Sequence, residues 1–485
     1  MLAYIKQKGL NFLAASGVFF IATLTDVPFA AAANRVQIKG WPHVVDTQKG
    51  PQESWSQDAV LGSLVCPSLT RLNLLKKASG PQLLKGVKEK KADGAFFWQF
   101  SLKDDVRYWG GSRVEVKDYV AFIEGVLGSF KGLAPFKVTG KKGEVSIRFA
   151  KEPSVGPYLF NSRPFFRRIS PGKKGGLLFE CAGSYAIESH SPLVLAAVSK
   201  AKKPEKIVFS DGTSGQKAEV LEFRFPEYYQ NSIKGRSPLS AIKCQRKVDF
   251  PIFSAIEWNL QSPLSSQEIF RKAITHILPR GTFLRSGAGY LGDLVSAPLL
   301  RAHPGYDRGV YVRKFNVDTG KQLLRQLGFK KSEKNGFFVG QDGKNLTLKL
   351  HKPKEMQGPM EKVLKDSLEI AGIQVVFTEN SKVKTDGTLT GLVSPWPEGS
   401  LSLLLKGSPV VKEKGLNALL SAYDKSLTRQ KPDFNGLKKI HRVVYDLEPY
   451  SIFMQHRACL VSQSGRKIPK IIIRDPDWFW DLVKN

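Results

Sequence analysis

Apolar and polar residues alternate around Trp98, Phe100 and Leu102, and that period of two sets all three on one face of a strand. Asp93-Gly94 supplies a turn into this strand, and Gly110-Gly111 breaks the chain after it. The period then lengthens. Val120, Ile123, Leu127 and Phe130 recur three and four residues apart, which predicts a helix from Asp118 with one apolar stripe. Phe136 and Val138, a turn across Gly140 to Gly143, and then Val145, Ile147 and Phe149 predict a β-hairpin. Farther on, Asp318 is placed to cap a helix that turns Leu323, Leu324 and Leu327 to a core and ends at Gly328. Asp342-Gly343 leads into the strand Leu346, Leu348, Leu350. A helix follows with Met356, Met360, Val363, Leu364, Leu368 and Ala371 on one side; Gly372 closes it and Ile373-Gln374-Val375 opens the next strand. Strand, helix and strand in this order predict a mostly parallel sheet with a right-handed crossover.

A chain of 485 residues exceeds one ordinary core, so two or three domains are expected. The first stretch stands apart. Lys6 and Lys8 precede an apolar run from Phe12 to Leu24, followed by Pro28 and the small residues Ala30 to Ala33. This is the layout of a secretory signal peptide over residues 1–33, cleaved near Ala33. The run is shorter than the ~18 to 20 apolar residues of a spanning helix, and no cysteine follows it to carry a lipid. Export as a soluble protein is the expectation.

The formal net charge is +31, and the leader accounts for almost none of it. Such a charge suits nucleic acid, anionic surfaces or acidic ligands, but an exported protein is not expected to bind nucleic acid. The lysines are spread over Lys85–Lys91, Lys137–Lys142, Lys200–Lys206 and Lys349–Lys365, as on a solvated basic surface. Catalytic signatures are missing from the sequence: there is no G-x-S-x-G and no H-E-x-x-H. The S-x-x-K tetrads Ser199 to Lys202 and Ser381 to Lys384 lack the accompanying S-D-N and K-T-G. Seven histidines are scattered singly. No enzyme, no cofactor and no metal site is therefore expected.

Phe100, Leu102, Lys103, Val106, Arg107, Tyr108, Gly111, Asp118 and Val120 fall in order on a pattern that resembles the family 5 extracellular solute-binding proteins. These are the oligopeptide, dipeptide and nickel receptors of bacterial ABC importers. Gly110 and Glu115 depart from the pattern, where an acidic residue and a threonine are usual. Trp258-Asn259-Leu260, Ser262-Pro263 and Phe270-Arg271-Lys272-Ala273-Ile274, with Arg280 and Pro298, resemble the segment that opens the family's second lobe. Asp318, Leu323, Leu324, Gly328 and Phe329, then Leu368 to Val375, and finally Glu448-Pro449-Tyr450, continue the resemblance across nearly the whole mature chain.

The resemblance implies an α/β, two-lobed periplasmic-binding-protein fold, with mixed sheets, flanking helices and a ligand cleft between the lobes. Lobe one is expected at residues 34–258, with 460–485 returning to it, and lobe two at 259–459. The implied function is capture of a peptide-like or other small solute, sugar or chelate, by a monomer in the periplasm, for delivery to an ABC permease in the inner membrane. The alternatives are a basic exported protein adhering to anionic envelope polymers and, below that, an exported hydrolase. Cys66, Cys181, Cys244 and Cys459 form no CxxC pair, so disulfides or free buried thiols are both open, with Cys181–Cys244 preferred because both would lie in one lobe. The segment Gly391 to Gly399 resembles the ligand-facing loop of the peptide receptors, so Gly391, Val393, Ser394, Trp396 and Glu398 are expected to bind ligand. Trp396 could stack on a ring, a sugar face or a peptide plane. Pro395 stands where those receptors hold an acidic residue against the peptide's α-ammonium. Without that carboxylate, peptides with a free N-terminus are not expected to bind unless Glu398 takes over.

Overall fold

The computed structural model describes residues 35–39, 65–73, 76–130, 133–161, 163–168, 179–183, 185–190, 193–197, 206–209, 219–224, 244–286, 292–352, 359–393, 405 and 416–462. After β1 (Arg35–Lys39) and the small hairpin β2 (Thr70–Asn73) and β3 (Ala78–Pro81), the chain enters β4 (Leu84–Ala92) and β5 (Ala95–Leu102). Asp93 and Gly94 between them both take positive φ, 51° and 72°, the backbone that matches the twist of a tight hairpin. α1 (Val116–Gly128) follows, then β6 (Phe136–Lys141) and β7 (Glu144–Phe149), and the sheet order is β4-β5-β7-β6. Trp98, Phe100 and Leu102 are buried as their alternation predicts, against Val145, Ile147 and Phe149 of β7. α1 covers this sheet through Tyr119, Ile123, Val126 and Leu127. Glu115 is a workable start to that helix, because its N–H is held by the Asp118 carboxylate at 2.9 Å. Gly140 lies inside β6 and lets α1 come close: a Cβ there would stand 2.5 Å from Val116 Cγ1.

The second body is one long mixed sheet. β8 (Phe166–Arg168) and β9 (Phe179–Cys181) form a separate two-stranded pair, tied to the first body by Trp109 N–H donating to the Cys181 carbonyl. The strands of the long sheet are β10 (Tyr185–His190), β11 (Leu193–Ala197), β12 (Lys206–Phe209), β13 (Glu219–Arg224), β14 (Arg246–Trp258) and β15 (Gly292–Asp293). A short pair, β16 (Lys330–Lys331) and β17 (Phe338–Val339), stands apart. β18 (Thr347–His351), β19 (Gln374–Thr378), β20 (Gly387–Val393) and β21 (Tyr450–Ser462) complete the set. The order is β10-β11-β12-β1-β13-β21-β14-β20-β18-β19, with β15 on β21. β18 runs parallel to β19, as the strand-helix-strand pattern predicts, and also to β20, but the sheet is not mostly parallel: β14 and β21 pair antiparallel with each other and with β20, β13 and β15.

β14 and β21, each 13 residues long, are antiparallel and central. Where they cross the core, from Phe253 to Trp258 and from Tyr450 to Met454, they are mostly apolar and buried because both faces are covered there. Phe253, Ala255 and Ile452 join a core with α6 (Leu416–Ser426) and α7 (Phe434–Leu447), while Ile256, Trp258 and Phe453 join another built on the helices that follow β14. Those are α2 (Glu268–Ile277), α3 (Arg280–Ser286), α4 (Val317–Gln326) and α5 (Pro359–Ile370). Leu324 is fully buried there, with Leu323 and Leu327 against the same core, and Gly328 ends α4 with φ of 89°. The cap is not Asp318. Asn316 takes that role, accepting from Thr319 N–H at 2.9 Å, and Asp318 lies one residue inside the helix.

Several residues that carry the family resemblance prove to be joints of this body. Arg271, 3% exposed, donates to the carbonyls of Ser265, Ser266, Leu447 and Glu448, so its guanidinium closes the C-terminal end of α7. Glu448, in a left-handed backbone conformation, is buried and ion-paired to Arg313 at 2.8 Å. Trp258 Nε1 donates to Ser451 Oγ across the central strands at 2.9 Å.

The cysteines correct the preferred pairing. Cys181 joins Cys66 and Cys244 joins Cys459, with Cα separations of 5.0 and 5.5 Å. β14 and β21 bring Cys244 next to its partner, since Lys247 already pairs with Cys459 in the sheet.

Candidate functional site

A charged residue of β14 meets one of opposite charge on β21. Asp249 sits opposite Arg457, and the strand register shifts between Asp249 and Phe253 and again between Ser254 and Ala255. Arg457 Nε donates to Asp249 at 2.6 Å, and its Nη2 donates to Asp293 of β15 at 3.0 Å. Arg301 Nη1 reaches the other oxygen of Asp293 at 3.3 Å. Their side chains are mostly shielded, Asp249 16%, Asp293 17% and Arg457 25% exposed, so the carboxylates and the guanidinium hold one another in place. Just beside them Ser254 Oγ and His456 Nε2 lie 2.7 Å apart, and burial pushes the His456 imidazole down to about 4.

A cavity of about 480 Å³ opens over this network, between β14, β21 and the segment 301–312. Arg301, Arg308, Arg457 and Asp249 make its charged wall, and Tyr306, Val310 and Tyr311 its apolar one. Tyr311 is 81% exposed. The backbone N–H of Arg301 is directed to Gln455 Oε1 at 3.4 Å, which ties the segment to β21.

Of the sequence-predicted ligand residues, Gly391 and Val393 lie in the last turn of β20's pairing, opposite Ser254 and Ile252 of β14. Ser394, Trp396 and Glu398, like Pro395, lie outside the described residues. The chain thus leaves β20 beside Ile252, on the same strand as the cavity residue Asp249. The charged wall was not anticipated. No local signal marks it, because β14 and β21 carry other polar and charged residues besides Asp249 and Arg457.

One arrangement resembles catalytic machinery: Ser296, His441 and Asp307. His441 Nε2 is 2.9 Å from Ser296 Oγ, and the residue is fully buried. Its Nδ1, however, accepts the backbone N–H of Asp307 at 2.8 Å, so Nε2 carries the proton and donates it to the serine. The Asp307 carboxylate points instead to Arg442, at 2.7 Å, and to the Gly309 N–H. An imidazole in that tautomer cannot remove the serine proton, and the trio is a structural latch between α7 and the segment before it. Among the described residues no group of three His, Cys, Asp or Glu side chains is placed to hold a metal ion, and no helix is long and apolar enough to cross a membrane.

No protein-family model and no curated protein sequence matches the chain. Solved structures do. NikA from Brucella suis, in complex with Fe(III)-EDTA, is 17% identical with a TM-score of 0.67, covering 90% of this chain and 96% of that one. The periplasmic oligopeptide-binding protein of an ABC transporter from Thermotoga maritima is 15% identical with a TM-score of 0.62, over 88% of this chain and 92% of that one. The oligopeptide-binding protein AppA from Bacillus subtilis, in complex with a nonapeptide, is 15% identical with a TM-score of 0.59, over 91% and 97%. Likeness over nine-tenths of both chains, with identities this low, is likeness of fold: the chain has the two-domain, mixed α/β fold of the periplasmic solute-binding proteins of ABC transporters.

Proposed function

We propose that this protein is the solute-binding component of an ABC importer, exported by the leader at residues 1–33 and acting in the periplasm. It would hold a peptide-like solute, sugar or chelate between lobe one, residues 34–258 with 460–485, and lobe two, residues 259–459, and deliver it to a permease in the inner membrane. The observation that carries this reading is the cavity at β14 and β21, the strands that run from one half of the long sheet into the other, within a fold shared with binding proteins. The solved neighbours hold an Fe(III) chelate and a nonapeptide, which supports a small solute without choosing one. On this reading Gly391, Val393, Ser394, Trp396 and Glu398 are also ligand-binding residues, proposed from the sequence resemblance. Binding stabilises the closed arrangement of the lobes, and the permease reads that state. Catalysis has no part in it.

Native mass spectrometry of the purified protein, with a thermal-shift screen of peptides, sugars and metal chelates, tests the reading. A co-purified small molecule, or stabilisation of about 2.7 kcal/mol at a hundredfold excess over the dissociation constant, is expected. A clean apoprotein with no hit refutes it. The net charge of +31 favours a second reading, adhesion to anionic envelope polymers. Adhesion would fall steeply with rising salt, whereas a ligand enclosed in a cleft is far less sensitive.

A further inference from the structure

We infer that the solute is an organic oxyanion with an apolar or aromatic body, and that Arg308 receives its acid group; this rests on the solute-binding reading above. The charges at the cavity do not balance. Two guanidinia, Arg457 and Arg301, are already engaged by the carboxylates of Asp249 and Asp293. Arg308 lines the same cavity, exposed at its lip, and among the described residues no carboxylate or carbonyl engages it. The excess is one positive charge on a guanidinium, whose rigid fork of N–H donors matches the two oxygens of a carboxylate or phosphate. With the cavity empty Arg308 is solvated at the surface, so no buried charge is left unpaired.

The same arrangement disfavours a cation. Among the described residues Asp249 is the one acidic group lining the cavity, and Arg457 holds it and the neighbouring Asp293 at 2.6 and 3.0 Å, so a ligand ammonium would have to displace that guanidinium. Tyr306, Val310 and Tyr311 add apolar surface to the lining. Tyr311, 81% exposed, presents a free aromatic ring at the rim, able to lie over a bound body. A volume of about 480 Å³ is within the usual range for a small-molecule site, roughly 300–1,000 Å³.

The test uses the whole protein. Wild-type and Arg308→Gln chains are dialysed against the low-molecular-weight filtrate of yeast extract, desalted, and weighed by native mass spectrometry, and the retained compounds are identified. Phenylacetate, phenyl phosphate, phenylacetamide and phenethylamine are then titrated by thermal shift. Compounds retained by the wild type should carry a carboxylate or phosphate. Arg308→Gln should weaken their binding on the order of tenfold to a hundredfold, the loss of a charge-assisted contact, and Arg308→Lys should recover part of it. The larger shift among phenylacetate and phenyl phosphate identifies the head group, and the amide and the amine should give none. Arg308 is exposed and has no structural partner among the described residues, so both variants should keep the wild-type circular dichroism. Retention of a neutral or cationic compound, or equal retention by Arg308→Gln, overturns this inference and leaves the receptor reading standing. Retention of nothing by the wild type, with no shift from either acid, overturns both.

Discussion

Two helical glycines should respond in opposite directions to one substitution. Gly125 in α1 is exposed and has nothing within 4 Å of an added Cβ, so Gly125→Ala should stabilise that helix by up to about 1 kcal/mol, the difference in helix propensity. Gly320 in α4 is buried, and its added Cβ would stand 2.5 Å from Ile277 Cγ1 and 2.9 Å from the Ala273 carbonyl oxygen of α2. The side chain of Ile277 has no free space to yield, being fully buried, and the carbonyl belongs to a helix backbone. Overpacking of this kind costs roughly 1 to 3 kcal/mol, and contact with backbone places it at the upper end. Subtracting the propensity gain leaves Gly320→Ala destabilising by ~2 kcal/mol. Hydrogen exchange followed by mass spectrometry reads each helix locally, whatever the cooperativity of the whole chain. Amides of α2 and α4 should exchange up to about thirtyfold faster in Gly320→Ala, and those of α1 more slowly in Gly125→Ala. Equal or slower exchange of α2 and α4 in Gly320→Ala would refute the close helix packing on which the second body depends.

Acid should act through three buried histidines: burial lowers His303 to about 3 and His441 and His456 to about 4, against an ordinary 6.5. The unfolded chain protonates first, so their contribution is full above 6.5 and falls as pH drops toward 4, by about 1.4 kcal/mol per pH unit for each; urea titrations across that range should show His441→Gln flattening the slope by the same amount. Removing the Cys66–Cys181 bond, which closes 115 residues, should cost ~5 kcal/mol in the chain-entropy account, measured as a lower urea midpoint for Cys66→Ser/Cys181→Ser without reductant. Arg271→Met should destabilise by about 1 to 3 kcal/mol or more, because buried carbonyls at the end of α7 lose their donor; calorimetry that finds it neutral would discard the clamp. Calorimetry with unblocked and N-acetylated di- to pentapeptides should show no tight binding of the unblocked set that acetylation abolishes; such binding, unaffected by Glu398→Gln, would refute the consequence drawn from Pro395.

Periodicity made the strand at Trp98, the helix after Asp118, the 136–149 hairpin and the strand-helix-strand at 346–375 legible, since each depends on residues a few positions apart along the chain. Residues such as Arg271 and Glu448 stand out in the sequence through their family pattern, yet their work as a clamp and a buried ion pair is visible only once α2 meets α7. The alternative S-x-x-K and histidine chemistry could be set aside from sequence for lack of companion motifs, whereas the Ser296–His441 contact appears only in three dimensions and is settled by a backbone N–H. The disulfides and the charged cavity belong wholly to tertiary structure. Asp249 and Arg457 are 208 residues apart, and Cys244 and Cys459 are 215 apart. They become neighbours because the sheet seats β21 against β14, and strand order is decided by which apolar faces can be buried together, a property of the packed chain that no local run of residues encodes.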